Sequence, residues 1–444
     1  MGIFPDLMMI KRLTPAVLTA AILGAADGVM LAFNLPGQLS YDSVSQLYDA
    51  RFGSYNSWHP AVMAWLLGLF DGLIPGAGLF IVFEAAMLAL AFALSLRRGA
   101  GWASATVMLA IVLTPQFLLY QGIVWKDVLF ADAFVLSFAL LARAVEHRPA
   151  NAILLLLFFL FLTLAGLARQ NGLLLLPVGA VALGWASANG NVRRGVIQAA
   201  IALLLLAVLV VSANLLLALR GDHGEGLGGE IQLAQIYDLT GAVRKGYRLE
   251  YLPRSDPALA HMIESQGVKA YSPYLQDTLE PFLPARIAKG AVMAEWRALL
   301  MTRPDLYLEE RLPVFWQVLA TPDIALCHPA YAGIEGDPAQ LQALGLAARI
   351  RPRDATLASY ARSFMGTPVL SHLAFAALAA VLLVFYLRRR RPADIAMAGM
   401  LAGALVFTAS FFFVSVACDY RYLLPLDLAV MLALFHFVAE PARL

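Results

Sequence analysis

Long apolar runs separated by short polar connections dominate the sequence. A helix needs about 20 apolar residues to cross the ~30 Å hydrocarbon core of a bilayer. Ten runs come near that length, at residues 14–33, 77–96, 102–115, 128–144, 152–168, 172–188, 196–219, 367–387, 394–416 and 423–438. The pattern predicts an all-α polytopic membrane protein with about ten transmembrane helices.

The distribution of Lys and Arg predicts an orientation. Cytoplasmic connections carry an excess of these residues, and one alternate set of connections is rich in them: Lys11, Arg12, Arg97, Arg98, Arg143, Arg148, Arg193, Arg194, Arg388 to Arg391 and Arg443. The other set holds only Arg51, Lys126, Arg169 and Arg421. We therefore expect a multi-pass protein of the bacterial inner membrane, with both termini in the cytoplasm and the second set facing the periplasm.

Two regions interrupt the regular alternation. Residues 60–74 are apolar, but counting them as a span would reverse the charge bias, so we expect a helix lying in the outer interface. Residues 220–366 form one outer segment that opens with a Gly-rich run and has helical patterns near 285–303 and 304–318. The predicted organisation is an N-terminal transmembrane module over 1–219 with a first periplasmic loop at 34–76, a mostly helical periplasmic segment at 220–366, and C-terminal transmembrane helices over 367–444.

The composition agrees with this interpretation and narrows the function. Of the 444 residues, 61% are hydrophobic and 14% charged, against roughly 25% charged in a soluble domain. The net charge is +2 without a basic face, so no nucleic-acid partner is expected. The sequence contains no nucleotide-binding loop, zinc-protease motif or serine-hydrolase motif. A group transfer at the outer face would therefore need a donor carried across the membrane on a lipid.

Charged and polar side chains gather where the predicted spans meet the outer face. Ionisable residues at membrane depth cost a few kcal/mol each, which makes them candidates for function. The residues at this level are Asp42, His59, Lys126, Asp127, Arg169, Gln170, Asn171, Asp419, Tyr420, Arg421 and Tyr422. Each of the three cations could simply reach the headgroups or pair with a neighbouring aspartate. Together they favour a site for an anion such as a phosphate, which arginine binds with its planar fork.

Asp42 and His59 are the candidate acid–base residues of the first loop. If the segment after the first span is helical, Asp42, Gln46 and Asp49 share one face. Asp42 is then either an N-cap of that helix or a general base, and Asp49 is expected to be a solvated loop carboxylate. His59 is either structural, at the start of the interfacial helix, or part of a site; no spacing in the sequence demands that it bind a metal.

The two cysteines are expected to lie outside. Cys327 belongs to the outer segment and Cys418 follows the ninth predicted span. An oxidising compartment permits a disulfide between them. Their separation in space is not encoded in their spacing, so the sequence leaves the pairing open.

These features together resemble the GT-C superfamily of integral membrane glycosyltransferases, which includes protein mannosyltransferases and the aminoarabinose transferases of lipid A. The resemblance covers most of the chain as architecture, and its motifs are short: Tyr41-Asp42-Ser43, Trp58-His59-Pro60, Lys126-Asp127, Arg169 to Gly172, and Arg421 to Pro425. Many members carry two adjacent acidic residues in the first loop, often linked to metal use, whereas Ser43 follows Asp42 here. We therefore expect no divalent metal and no other cofactor.

The resemblance implies a function and assigns roles to the residues. Asp42 would be the catalytic base, and Lys126, Arg169 and Arg421 would bind the donor phosphate. The substrate pocket would include His59, Asp127, Asn171, Tyr420 and Tyr422. The donor would be a polyprenyl-phosphate sugar, the acceptor a glycan or lipid of the cell envelope such as lipopolysaccharide, and the surroundings membrane lipids.

Two other functions stay open at this stage. A transporter or flippase of a phosphorylated lipid or anion would also want cations, but it should place polar residues near the membrane midplane in paired halves. An envelope polysaccharide polymerase or ligase would use the same kind of site to move a whole glycan. Transfer of a labelled sugar from a polyprenyl-phosphate donor separates these functions.

Overall fold

A computed structural model describes residues 14–53, 60–147, 149–188, 190–219, 229–275 and 277–440. Within these ranges the secondary structure is helical, and β-structure is limited to three isolated bridges. His59, Arg148, the Gly-rich run at 220–228 and the charged terminal residues Lys11, Arg12 and Arg443 lie outside the described residues.

The α-helices are numbered in chain order. The first group is α1 Pro15–Asn34, α2 Tyr41–Phe52, α3 Ala61–Asp71, α4 Gly78–Ser95, α5 Trp102–Val112, α6 Pro115–Leu118, α7 Lys126–Ala144, α8 Ala152–Ala168, α9 Leu175–Ser187 and α10 Val192–Ala218. The second is α11 Gly229–Arg244, α12 Leu252–Ser255, α13 Pro257–Met262, α14 Val268–Ala270, α15 Lys289–Thr302, α16 Pro304–Ala320, α17 Pro338–Leu344 and α18 Pro352–Arg362. The third is α19 His372–Arg389, α20 Pro392–Val414 and α21 Leu424–Ala439.

Each of the ten predicted spans contains a helix, but fewer of them meet the length and composition of a membrane span. Six do so among the described residues, and the bent pair Trp102–Val112 and Pro115–Gly122, with 65° between its halves, would be a seventh. α8 and α9 are short, at 17 and 13 residues. α7 contains Lys126, Asp127, Asp132 and Arg143. The prediction of a polytopic all-helical protein is confirmed, and the count of ten spans is not.

α7 is the central helix of the bundle. It packs against α4, α8, α20 and α21, and all of its residues except Lys126 and Arg143 are buried. Most of its side chains are apolar, and because they are buried on every side, no face of the helix is left for solvent or lipid. A row of aromatic rings, Phe130, Phe134 and Phe138, runs along it. Phe130 contacts Phe407 of α20, and Phe138 contacts Phe158 of α8. The first residues of α7 therefore have a rigid support.

The segment between α10 and α19 divides into two packed parts. Residues of α11 to α16 form a small hydrophobic core of their own, which contacts the end of α20 through Phe412 and Val416. Side chains from Val318 onward, including Cys327 and Ile334, join the main core of the bundle instead. Helices at α15 and α16 match the two patterns predicted near 285–303 and 304–318. The second part of the segment therefore packs directly against the bundle.

Candidate active site

The extended segment that precedes α2 lies between two other backbone segments and is hydrogen-bonded to both. The N–H of Gln38 donates to the carbonyl of Gly122 (2.9 Å), and the N–H of Leu39 donates to the carbonyl of Gly333 (2.9 Å). The two bridges are parallel and place the start of α2 between the turn before α7 and the outer segment. These backbone hydrogen bonds on two sides therefore fix the position of Asp42, three residues after Leu39.

Ser40, and not Asp42, is the N-cap of α2. The hydroxyl groups of Ser40 and Ser43 lie 3.0 Å apart, and Ser43 donates to the carbonyl of Val124 (2.6 Å). The indole N–H of Trp125 donates to Oγ of Ser40 (2.8 Å). The capping alternative for Asp42 is therefore wrong, because its carboxylate lies in the first turn of the helix and makes a different contact.

Arg421 joins three carboxylates from three parts of the chain. Its Nη1 lies 2.8 Å from Oδ2 of Asp42, its Nε lies 2.8 Å from Oδ2 of Asp419, and the same Nε lies 3.8 Å from Oδ2 of Asp127. Its guanidinium also lies over the ring of Trp125, 4.8 Å from the centroid. The side chain of Arg421 is 15% exposed and that of Asp42 37% exposed, so this ion pair is reachable from outside.

Arg169 forms the second cationic contact of the same cluster. It pairs with Asp127, and its guanidinium lies 5.3 Å from the ring centroid of Tyr422 and 5.4 Å from that of Phe411. Asp127, which is fully buried, therefore stands between Arg169 and Arg421. Arg169 and Arg421 are therefore both paired with aspartates and lie in one cluster, and the binding of an anion by this cluster stays a prediction.

The other predicted site residues occupy varied positions. Lys126 is half-buried at the start of α7, next to Asp127. Asn171 donates to the hydroxyl of Ser410 (3.0 Å) and so ties the corner after α8 to α20. Tyr422 stacks on Phe411. His59 lies outside the described residues, so its role stays a prediction.

Tyr420 is fully buried next to Arg421. Arg421 and Arg169, with the aspartates that they contact, are called the arginine cluster below. The hydroxyl of Tyr420 donates to Oδ2 of Asp427 (2.6 Å) and accepts from the amide of Gln116 (2.7 Å), and its ring stacks on His372. Nδ1 of His372 lies 2.9 Å from Oδ1 of Asp427. This closed network supports the backbone of Arg421, and its place in a substrate pocket stays a prediction.

Two carboxylates of the outer segment that the sequence analysis did not single out lie within the electrostatic range of Asp42. Burial first, and then the charge of Asp42, raise the pKa of Asp277. Burial and the neighbouring Asp277 raise the pKa of Glu280, which is hydrogen-bonded to Asp277. Asp277 adopts a left-handed backbone conformation (φ 59°). Nothing periodic in the sequence marks these residues, because they come to the site on a loop. Asp49 also differs from expectation, because it lies inside α2 and is 5% exposed.

Cys327 and Cys418 form a disulfide, which settles the question that the sequence leaves open. Both are fully buried. The bond joins the loop after α16 to the residue that precedes Asp419. The outer segment is therefore covalently attached to the chain that presents Asp419 and Arg421.

One cluster in the described part of the chain has a composition suited to a metal, and it is remote from Asp42. It consists of Asp394, His436 and Glu440. Arg389 and Arg391 pair with both of its carboxylates. Because two arginines already compensate the two carboxylates, the arrangement is an ion-pair network.

Comparison with known proteins gives a distant structural likeness. No protein-family model and no curated protein matches the chain. Matches occur to the archaeal oligosaccharyltransferase AglB from Archaeoglobus fulgidus in complex with an inhibitory peptide and a dolichol-phosphate (13% identity, TM-score 0.42) and to the Archaeoglobus fulgidus oligosaccharyltransferase in the apo form (13% identity, TM-score 0.39). Each covers 94% of this chain and 50% of the other, so this chain spans about half the length of these neighbours.

Neither likeness assigns this chain to a family. Both TM-scores are below 0.5, so the likeness by itself says nothing about activity, substrates or site residues. What this chain does has to be inferred from its own side chains, of which Asp42, Asp127, Arg169, Asp419 and Arg421 form one cluster.

Proposed function

We propose that this protein is a glycosyltransferase that moves a sugar from a polyprenyl phosphate, such as undecaprenyl phosphate, to an acceptor of the cell envelope at the periplasmic face. The observation that supports it is the ion pair between Asp42 and Arg421. It joins a partly exposed carboxylate of the first loop to a cation at the start of the last membrane helix. The proposed base for the acceptor, Asp42, is thus in direct contact with a proposed cation for the leaving group, Arg421.

The cations suit a phosphate whose lipid tail stays in the bilayer. Arg169 follows the end of α8 and Arg421 precedes α21, so both are adjacent to apolar helices. A guanidinium offers two parallel N–H groups to phosphate oxygens. Three carboxylates now compensate these cations, and a phosphate that contacts Arg421 would compete with Asp42 for its Nη1. Donor binding would therefore free the carboxylate of Asp42 to act as a base.

The proposed reaction inverts the anomeric carbon. Asp42 removes the proton from the acceptor hydroxyl, whose oxygen forms a new bond to the anomeric carbon from the side opposite the phosphate. The bond between the anomeric carbon and the phosphate oxygen breaks, and polyprenyl phosphate leaves with the electron pair. The proton remains on Asp42 until solvent takes it. Arg421, Arg169 and Lys126 stabilise the negative charge that develops on the leaving phosphate, as preorganised cations do in a partly dry site.

The surrounding residues would select the substrates. Asn171, Tyr422, Tyr420 and Asp127 hold or neighbour the arginines, and His59 would border the sugar or the acceptor. The segment at 220–366 would cover the sugar and choose the acceptor. The reaction as written uses no divalent metal.

The test is sugar transfer by Asp42→Asn in reconstituted membranes with undecaprenyl-phosphate-linked, radiolabelled hexoses and pentoses. We expect this variant to lose transfer by at least about a hundredfold, the lower range for removal of a general base. It should bind undecaprenyl phosphate at least as tightly as the wild type does, because the carboxylate that competes for Arg421 is gone. Arg421→Ala should instead lose the binding of undecaprenyl phosphate. Asp305→Asn is the matched control, because the carboxylate of Asp305 is exposed and pairs with the neighbouring Arg303.

The outcomes separate the proposal from the other functions. Normal turnover by Asp42→Asn would overturn the mechanism. Movement of the labelled lipid across the membrane without a covalent product would indicate a transporter. Transfer of a preassembled glycan in one step would indicate a ligase.

A further inference from the structure

A groove opens between α8 and α10 at the end of the bundle opposite Asp42. α8 begins at this end and runs to Arg169, and α10 begins here after the loop that follows α9. The groove has a volume of about 480 Å³ and its walls are mostly apolar, with Leu155 and Phe159 on α8 and Ile201 and Leu205 on α10. Leu183 and Ala186 of α9 form part of its floor.

The groove has the length of one leaflet of a bilayer. Along α10 its lining runs from Arg194 through Gln198 and Ile201 to Leu205. These residues recur on one face of the helix, and at 1.5 Å per residue the run from Arg194 to Leu205 spans about 16 Å. Half of the ~30 Å hydrocarbon core is about 15 Å. An acyl chain that starts at Arg194 would therefore reach the bilayer midplane within the groove.

The mouth of the groove is polar and positively charged. Arg194 and His147 line it, with Ser187 between the helices. The nearby carboxylate of Glu146 is already paired with Arg97 and Arg143, so it does not compensate Arg194. One helical turn further in, the carboxamide of Gln198 lines the groove, and its N–H groups can donate to ester carbonyls. The mouth thus offers a cation for a phosphate and an amide for the polar glycerol region behind it.

We propose that this groove binds one anionic glycerophospholipid of the adjacent leaflet. Its phosphate contacts Arg194, its glycerol region contacts Gln198, and one acyl chain lies between α8 and α10. The positive mouth favours an anionic headgroup over a zwitterionic one, since no described carboxylate lines the groove to attract an ammonium group. The lipid is distinct from the proposed sugar donor, whose phosphate would bind at the other end of the helices, so this inference does not depend on the proposed function.

Native mass spectrometry of the full chain in a mild detergent tests the site, with phosphatidylglycerol and phosphatidylcholine of equal chain length as probes. We expect a one-to-one complex with phosphatidylglycerol and at least fivefold less with phosphatidylcholine. Arg194→Ala should reduce the phosphatidylglycerol complex at least fivefold, and the neighbouring Arg193→Ala, which does not line the groove, should leave it unchanged.

A second pair of variants tests the apolar part of the groove. Ile201 is 54% exposed and Ile197 is 49% exposed, but only Ile201 lines the groove, so Ile201→Trp should block the acyl chain while Ile197→Trp should not. Both changes leave the buried core untouched, so a folded protein is expected from each. Equal binding of phosphatidylglycerol by Arg194→Ala and Arg193→Ala would overturn the proposal. So would equal binding of the two lipids, or displacement of the lipid by one equivalent of undecaprenyl phosphate.

Discussion

At the scale of single residues, Arg421 is the side chain on which the candidate site depends. It contacts Asp42, Asp419 and Asp127, and Trp125 lies under its guanidinium. A guanidinium keeps its charge at every accessible pH, so the cluster changes its net charge only through its carboxyl groups. The pKa shifts of Asp277 and Glu280 therefore bear directly on how strongly the site attracts a phosphate.

Asp277→Asn should make donor binding less sensitive to pH. Burial and the charge of Asp42 raise the pKa of Asp277, so this group loses its proton at a higher pH than an ordinary aspartate and then adds a negative charge beside Arg421. We expect the variant to lower the KM for a polyprenyl-phosphate donor severalfold at about pH 9. The effect should be smaller at about pH 4, because a carboxyl whose pKa is raised above the ordinary aspartate value is more protonated there. Steady-state kinetics at both pH values measure this, with Asp305→Asn as the control.

The same shift has a consequence for stability. A carboxyl whose pKa is higher in the folded than in the unfolded protein binds more protons when folded, so the free energy of unfolding falls as pH rises through the shifted range. In Asp277→Asn, the free energy of unfolding should therefore fall less as the pH rises.

The kinetic prediction has its own contrary outcome. If the variant had the wild-type KM at both pH values, Asp277 would not influence donor binding at Arg421.

At the scale of elements, the position of Asp42 depends on how the end of α1 meets the turn before α7. Asn34 donates its amide to the carbonyls of Met30 and Leu118 (both 2.9 Å), and it lies where a side chain on Gly122 would have to go. The carbonyl of Gly122 accepts from Gln38. Because Gly122 has no Cβ, its backbone can approach Asn34 closely. This contact therefore sets the register of the extended segment that leads to Asp42.

Gly122→Ala should destabilise the protein and impair the site. A Cβ on Gly122 would overlap the carboxamide of Asn34, and overpacking of this kind costs about 1–3 kcal/mol. We expect a lower midpoint of thermal unfolding and a lower rate of transfer. Gly24→Ala, in α1, is the control because a Cβ there meets nothing within 4 Å. Equal unfolding temperatures for the two variants would show that the contact with Asn34 relaxes freely.

At the scale of the whole molecule, the outer segment is attached to the bundle near Arg421 by two buried links. Arg311 of α16 pairs with Asp238 (2.6 Å) and donates to the carbonyl of Ser415 (2.5 Å). The disulfide between Cys327 and Cys418 lies beyond it. Both links end on the short chain between α20 and α21, so the outer segment and the arginine cluster share a support. A disulfide at this place also supports the proposed periplasmic location.

Removal of the disulfide should lower stability and weaken the site. The two cysteines are 91 residues apart, and in the chain-entropy model closing a loop of that size contributes about 4–5 kcal/mol. We expect a membrane-permeant reductant, or Cys327→Ser with Cys418→Ser, to lower the midpoint of thermal unfolding by several degrees and to reduce transfer. The double variant should no longer respond to the reductant, which is the control. Unchanged unfolding of the double variant would mean that noncovalent contacts, among them the ion pair of Arg311, hold the segment without the disulfide.

The sequence by itself determined the helical class, the helix positions and most members of the cluster. Runs of about 20 apolar residues show where helices form, because a helix satisfies all of its backbone hydrogen bonds within the segment, which a bilayer requires. Arg169, Arg421 and Asp127 stand out because charges beside apolar spans are costly and rare. The helix at α3 also follows from local sequence, and its position in the outer interface stays a prediction.

Only the tertiary structure decided which of these residues meet. Asp42 and Arg421 are 379 positions apart, and no local pattern encodes a contact over that distance. The approach of Asp277 and Glu280, the burial of Asp49 and Tyr420, and the pairing of the cysteines depend in the same way on loops and on packing between distant helices. Hydrophobic patterning acts within one helix, whereas ion pairs and close approaches depend on how several helices and loops are arranged together, and that arrangement is why the site has to be read from the fold.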